Sequence, residues 1–519
     1  LPVQPSLSLR PYLRENSIDD LRFYFRSLYT RSMVQKYIQK SRFCLLIFIL
    51  GTLAAQAQVL EWSNPIKLKG GATFTKVIGE NQHGTFLLRY RNRFYTKNII
   101  LERFNHQLTF EKSIHIELRK ARLSKLYITA KGILLIKAKY IRQHQENRLI
   151  AQWYDFDFIE MGDPVLLATS NAREYGDRGN FRVRISDDLQ KILVLTTEKY
   201  STPNTLIHYR IFTDALVPNK GHTFSLNYPD AKIVLQDLVV TNTSSISILA
   251  RITPKSLKRD ATSNFHLITL HDSTLYARQV TDSVNLKSPK LTYNRKLDQA
   301  IVTSFYSLKN MRGIVGTLFY TPGNPQDLPQ LVWSKFSTDL IDEITLNDRN
   351  EDAVSEGFYI LRTIPRSDGG ILIIAEQKNI ATEDDIILVN GLPQSTLKNI
   401  YNFNEVLVLN YDDSAYLDWH KLITKNQTTV NDGGYFSSVV IYTGPKYIQL
   451  IYNDQLRSSG EVMQHTIYNN GMEKSQKLLK TEIDFVAIVP SESKQVSSKK
   501  VIVPTSKNRR FALLKLVYN

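Results

Sequence analysis

Short runs of β-branched, aromatic and leucine residues recur along the chain, each bounded by polar turn residues. The best-defined runs are almost continuously apolar: Thr85–Leu88, Ile133–Ile136, Ile192–Leu195, Ile246–Leu249, Ala300–Val302, Ile371–Ile374, Tyr447–Leu450 and Val501–Val503. Continuous apolarity over three or four residues fits strands covered on both faces. A second series follows, one run after each of the first: Ile99–Leu101, Leu149–Ala151, Leu206–Tyr209, Leu267–Leu270, Val315–Leu318, Val406–Leu409, His465–Tyr468 and Ala512–Leu514. Long segments with helical periodicity are scarce, and no later stretch is apolar for the 18 residues that mark a membrane helix.

The runs come in sets of about four at intervals of roughly 45–75 residues, which overlaps the repeat lengths of propellers and solenoids. Read this way, the two series are second and third strands of four-stranded units. The expected fold is all-β: a single β-propeller of eight four-stranded blades, with seven as the alternative count. Three tryptophans mark one repeated position: Glu61-Trp62-Ser63-Asn64, Val332-Trp333-Ser334-Lys335 and Asp418-Trp419-His420-Lys421. The last two fall in fourth strands. Trp62 precedes every other strand, and the chain ends on a third strand. The expectation is that residues 59–68 supply the missing outer strand of the last blade, so that N-terminal and C-terminal strands pair and no sheet edge is left open.

Between Ile371 and Val406 lies an insertion, near 378–403, that includes Ile386-Ile387-Leu388-Val389 and Asn390-Gly391. It is either a loop on a working face or a decorative hairpin. Ser186-Asp187-Asp188 reads as a turn between first and second strands, with an Asp tying the turn to backbone amides. Asp368-Gly369-Gly370 and Asn453-Asp454 read as similar turns.

The start of the chain carries a different signal. From Met33, the basic residues Lys36, Lys40 and Arg42 precede an apolar run from Phe43 to Leu53, and Ala55-Gln56-Ala57 follows. This is the three-part pattern of a secretory signal peptide, cleaved before Gln58. The run is too short to span a bilayer, which needs roughly 20 residues. Residues 33–57 are therefore read as the signal peptide and 58–519 as the propeller. Residues 1–32 are read as an unstructured upstream extension, with a basic amphipathic arm as the alternative. The only cysteine, Cys44, lies in the segment expected to be removed, which leaves the mature protein without a disulfide or a cysteine-based metal site.

The chain carries 66 basic and 49 acidic residues. Eight of the former and three of the latter lie in the first 57 residues, which leaves +12. That balance favours anionic partners, although lysine and arginine are scattered and spacing alone shows no shared face. The densest polar segment runs from Lys425 to Tyr435. Asp432-Gly433-Gly434 is turn chemistry. Lys425, Gln427, Asn431, Asp432 and Tyr435 form the candidate binding surface, should they converge near the central channel. The ten histidines do not cluster, and no H-E-x-x-H, G-x-S-x-G, P-loop or dinucleotide motif stands in a fitting context. Glycoside hydrolysis would need two carboxylates about 5–10 Å apart, which the sequence cannot pair.

Two stretches resemble a known group: Gly369 to Gln377, and Trp419 to Tyr435 with Tyr452-Asn453-Asp454. Together with the Ala-Gln-Ala-Gln signal ending, they are similar to exported, β-propeller-like proteins of unknown function from Bacteroidetes-type bacteria. The resemblance covers mainly residues 360–460. It implies a fold and a compartment and brings no activity or site. Such bacteria often export cargo through a C-terminal sorting domain. Here the C-terminal residues are already used as a strand, which favours the periplasm, with secretion as the alternative.

The expected function is thus a non-catalytic binding or scaffold propeller of the cell envelope, with a hydrolase or lyase acting on glycans as the alternative. The expected partner is a protein or glycan of the envelope. No cofactor, metal or nucleic acid is expected, nor a transmembrane anchor in the mature chain, and the expected state is a monomer.

Overall fold

In a computed structural model of the chain, residues 58–518 are described apart from 68–73, 92–97, 173–178, 199–204, 227, 229–230, 255–263, 272–273, 309–312, 323–328, 347–356, 391, 455, 457–460, 480–485, and 508–509. The expected signal peptide, the upstream extension and Cys44 lie outside the described residues. Leu60–Leu516 form one compact unit.

This unit is a β-propeller. Its sheets number eight, and the alternative of seven does not hold. The first blade runs Phe74–Asn81, Gly84–Tyr90, Asn98–Phe104 and Phe110–Glu117, antiparallel throughout. Blades 2 to 7 repeat this order, and their first strands are Arg122–Ile128, Phe181–Ile185, Ala231–Val240, Asn285–Asn294, Phe358–Pro365 and Val440–Thr443. Every apolar run read as a second or third strand is one. First strands of neighbouring blades contact each other between blades 1 and 2, 3 and 4, 4 and 5, 5 and 6, 7 and 8, and 8 and 1. Shared hydrophobic clusters join blade 2 to 3 and blade 6 to 7.

Blade 8 is assembled from both ends of the chain. Its inner strand is split into Ala487–Ile488 and Lys494–Ser497, followed by Lys500–Lys507 and Arg510–Val517. Val59–Trp62 lies beside Arg510–Val517 in the sheet order, and Ile66–Lys67 pair with Phe511 and Arg510. The Ser63 N–H donates to the Leu513 carbonyl at 3.0 Å, and the Leu513 N–H donates to Ser63 Oγ at 2.8 Å. Trp62 thus occupies a fourth strand, as do Trp333 in blade 5 and Trp419 in blade 6. Trp419 Nε1 donates to the Asn469 carbonyl of blade 7.

The core lies between blades, where the apolar faces of successive sheets stack. Blades 1 and 8 meet through Val77, Leu87, Phe104, Ile502, Phe511 and Leu513. Blades 5 and 6 meet through Phe305, Phe319, Ile373 and Leu409, joined by a helix the periodicity did not reveal, α1 (Thr338–Leu346), whose Leu340 and Ile344 are buried there. The predicted turns behave as read at two sites. Asp188 Oδ1 accepts from the Gln190 N–H, and Asp368 Oδ1 accepts from the Gly370 N–H. Asn453 differs. It is buried and clasps blade 8: Nδ2 donates to the Ile488 carbonyl, and the Ile488 N–H donates to Oδ1.

The insertion is not a loop. The second and third strands of blade 6 run unbroken as Ile371–Val389 and Leu392–Tyr411, paired from Lys378 with Phe403 to Val389 with Leu392. A two-stranded ribbon therefore projects beyond the blade, with Ile386 and Leu392 each 71% exposed. Gln427–Val430 adds a third strand against its base.

Candidate functional site

In antiparallel blades, the connections from second to third strand and from fourth strand to the next blade share one face. On that face blades 1, 5, 6, 7 and 8 enclose a cavity of about 930 Å³. Tyr90, Ser288, Lys290, Tyr359, Glu376, Lys378, Ile380, Phe403, Gly433, Gly434, Ser438 and Glu492 are among its lining residues. Lys378, Ile380 and Phe403 belong to the base of the ribbon, so the insertion forms one wall. Lys378 Nζ sits 4.8 Å from the centre of the Phe403 ring. Gly434 packs against the same ring. Its φ of +71° and the 2.7 Å that would separate an added Cβ from Phe403 leave no room for a side chain. Tyr359 and Ile380 are about half exposed at the rim.

The charged residues that line this cavity are balanced, Lys290 and Lys378 against Glu376 and Glu492, but the charge on the inner strands as a set is one-sided. The eight inner strands carry ten basic residues: Lys76, Arg122, Lys125, Arg182, Arg184, Lys232, Lys287, Lys290, Arg362 and Lys494. Against them stand two acids, Glu80 and Asp237. The chain as a whole is far more balanced, so the bias belongs to the inner strands. Burial lowers the Lys125 pKa, and the charges of Arg184, Lys76 and Arg182 on the flanking blades lower it further. Burial, and then Lys76, lower that of Lys494 in the same way. Lys494, Lys76, Lys125, Arg182 and Arg184 thus form a row of cations on the adjacent inner strands of blades 8, 1, 2 and 3. Burial lowers the Arg362 pKa as well.

Some of these groups also hold blades together. Arg184 Nη2 lies 3.2 Å from Asp237 Oδ1, and its Nε donates to the Leu238 carbonyl at 3.1 Å. Lys494 Nζ donates to the Ile78 carbonyl, and Lys76 pairs with Glu492 at 3.1 Å. The Tyr90 hydroxyl donates to Glu492 Oε1 at 3.1 Å.

The structure separates the five candidate binding residues. Lys425 is fully buried and pairs with buried Glu376 at 2.8 Å. Its Nζ also donates to the Phe403 carbonyl and to Gln427 Oε1. Gln427 is buried too, and its Nε2 donates to the Asn453 carbonyl at 2.6 Å. Tyr435 is buried and latches blade 1, accepting from the Thr75 N–H at 2.9 Å. These three residues cannot form a binding surface, because their polar atoms are spent on internal partners. They support the cavity from beneath, through Glu376 and Ser438, whose Oγ donates to Glu376 Oε2 at 2.8 Å. Asn431 is exposed and has a φ of 55°; its Oδ1 accepts from the Asn399 N–H of the ribbon. Asp432 is partly exposed and takes the Gly434 N–H, fixing the glycine turn at the cavity wall.

Two acidic residues in the turn after Trp153 are likewise engaged. Asp155 accepts from the Asp157 and Ile159 N–H groups, and Asp157 pairs with Lys112 and Arg103. His266 and His271 face apart, to Tyr228 and Ser245 respectively. Among the described residues, no group of three or more His, Cys, Asp or Glu could hold a metal ion, and no helix is long and apolar enough to cross a membrane.

No protein-family model and no curated protein sequence matches the chain. Among solved structures, it is similar to the polysaccharide lyase Uly1, at 9% identity and a TM-score of 0.38, over 87% of this chain and 100% of that one. It is also similar to the β-propeller domain of the Trilobed protease from Pyrococcus furiosus, at 10% identity and a TM-score of 0.33, over 80% and 97%. A third is the Penicillium chrysogenum α-L-arabinanase, at 9% identity and a TM-score of 0.33, over 62% and 94%. At such identities a likeness concerns architecture, and no activity is carried over from these proteins.

Proposed function

We propose that the chain is an exported, non-catalytic propeller of the cell envelope whose channel mouth binds an acidic glycan. The observation that carries this reading is the ten-to-two excess of cations on the inner strands, of which Lys290 lines, together with Lys378 of the ribbon, a cavity of about 930 Å³. Cations held in a concave, protein-walled site focus their field and draw anions to it. Tyr359 and Ile380 add exposed apolar surface at the rim, suited to the flat faces of sugar rings. Export rests on the segment from Met33 to Ala57, and the periplasm is the proposed compartment.

The glycoside-hydrolase alternative requires a pair of carboxyl groups free to act on the substrate. Glu376 and Glu492 line the cavity, and each already holds a lysine. This arrangement favours binding over hydrolysis.

The test is titration calorimetry of the chain from Gln58 onward with polygalacturonate and with neutral amylose, at low and high salt. The expected result is binding of the acidic polymer alone, weakened by salt because screening shortens the reach of the field, and weakened further in a Lys125→Gln/Lys494→Gln variant. Equal binding of both polymers, or binding indifferent to salt, would overturn the reading.

A further inference from the structure

We propose that the gap between blades 4 and 5, on the face opposite the channel mouth, is a second binding site, for a small hydroxylated carboxylate such as a uronic acid. A cavity of about 220 Å³ lies there, well above the ~30 Å³ share of a single water. It is bounded by connections between first and second strands, including Thr241, Ser245, Leu297 and Asp298, so it shares no wall with the channel site.

The seam between blades 4 and 5 is mainly apolar, and here a polar row interrupts it. The strand register sets Ser247 beside Thr269 and Thr269 beside Tyr276. The next row on the same face is Leu249, Leu267 and Arg278. Leu249 and Leu267 pack into the apolar cluster with Val302 and Leu318 of blade 5. Across the gap, the Tyr320 side chain is almost wholly buried and lines the cavity.

Two hydroxyls carry the argument. Tyr320 Oη and Thr269 Oγ1 are both buried, both belong to lining residues, and neither has a hydrogen-bond partner among the described residues. Buried hydroxyls in folded proteins are paired with protein, water or ligand, because an unpaired one costs free energy. Arg278 lines the same cavity as Tyr320, and its charge opposes the rise that burial gives the Tyr320 pKa. A cation beside two unfilled hydroxyls matches a carboxylate flanked by alcohols. Tyr276 and Leu297 supply an apolar wall for the carbon skeleton. At the rim, Asp298 already accepts the Tyr293 hydroxyl at 2.5 Å.

The inference is independent of the channel reading. The test uses the full mature chain with D-glucuronate as probe and D-glucose as control, followed by calorimetry and thermal shift. Glucuronate is expected to bind and to raise the melting temperature, and glucose to do neither. Tyr320→Phe and Arg278→Met are each expected to weaken binding about fivefold or more, the factor expected for one lost hydrogen bond. Without ligand, Tyr320→Phe should melt no lower than the parent, since the deleted hydroxyl had no partner to lose, so its binding result stands even if Arg278→Met misfolds. A cavity filled by water alone would give no response to glucuronate, and a uronate seated in the channel would bind both variants with parental affinity. Either result overturns the proposal.

Discussion

Replacing Lys425 by methionine removes one half of an ion pair that solvent does not reach. The Lys425 side chain is 0% exposed and that of Glu376 is 1% exposed. Methionine fills most of the space but leaves a carboxylate with no counter-charge. Breaking such a pair costs about 3–5 kcal/mol, because the remaining ion keeps its desolvation penalty. The Phe403 carbonyl also loses a donor, whereas Gln427 Oε1 keeps the Ser438 N–H at 2.8 Å. At the usual entropy of unfolding per residue, a unit of this size loses about 1 °C of melting temperature per kcal/mol. The expected drop is therefore about 3–5 °C by calorimetry at neutral pH. Replacing both partners, Lys425→Met with Glu376→Leu, removes the orphaned charge and should recover most of the loss, since apolar replacement of a buried pair is often neutral. A single variant that melts with the parent, or a double variant no better than the single, would refute the claim that Lys425 is a buried structural cation.

Three further outcomes follow from the same geometry. Ser63→Ala leaves the Leu513 N–H without its side-chain acceptor and should cost about 1–3 kcal/mol in thermal unfolding, with Ser63→Thr retaining most of it. Lys125 and Lys494 have folded pKa values below 10.5, so between the lowered values and 10.5 the unfolded chain binds more protons. Their contribution to stability therefore rises with pH in that alkaline window, while affinity for an acidic glycan falls; a parallel rise of both would contradict the assignment. Replacing Glu383–Lys398 by Asn-Gly joins Thr382 to Asn399, which already face each other in register, through a two-residue turn suited to a hairpin. Melting temperature and glycan affinity should both persist, because Lys378, Ile380 and Phe403 remain; lost affinity would place the ligand on the ribbon.

The second and third strands were legible because they are buried on both faces and so read as unbroken apolar runs. Trp62 marked the outer strand of blade 8 because tryptophan repeats there beside polar neighbours. The inner strands were not legible. They mix apolar and cationic residues, and bulges such as those between Val77 and Gly79, Leu235 and Asp237, and Ile360 and Arg362 break the two-residue alternation. The one-sided charge of the inner strands stayed hidden for the same reason, since it is spread over strands far apart in sequence. Lys425, Gln427 and Tyr435 looked like surface chemistry because a polar run between strands usually is solvated. Only the neighbouring blades show that each has a partner waiting inside.

A ring whose last sheet borrows its outermost strand from the beginning of the chain has a consequence for folding order. Ser63 meets Leu513 across 450 positions of sequence. Contacts so distant form late, after the entropy of the intervening loop has been overcome by the blades between. Until then, Arg510–Val517 has an unpaired edge that another chain can add to. The vulnerable interval for this protein is therefore the moment between completion of its eighth sheet from one end and the arrival of the strand from the other.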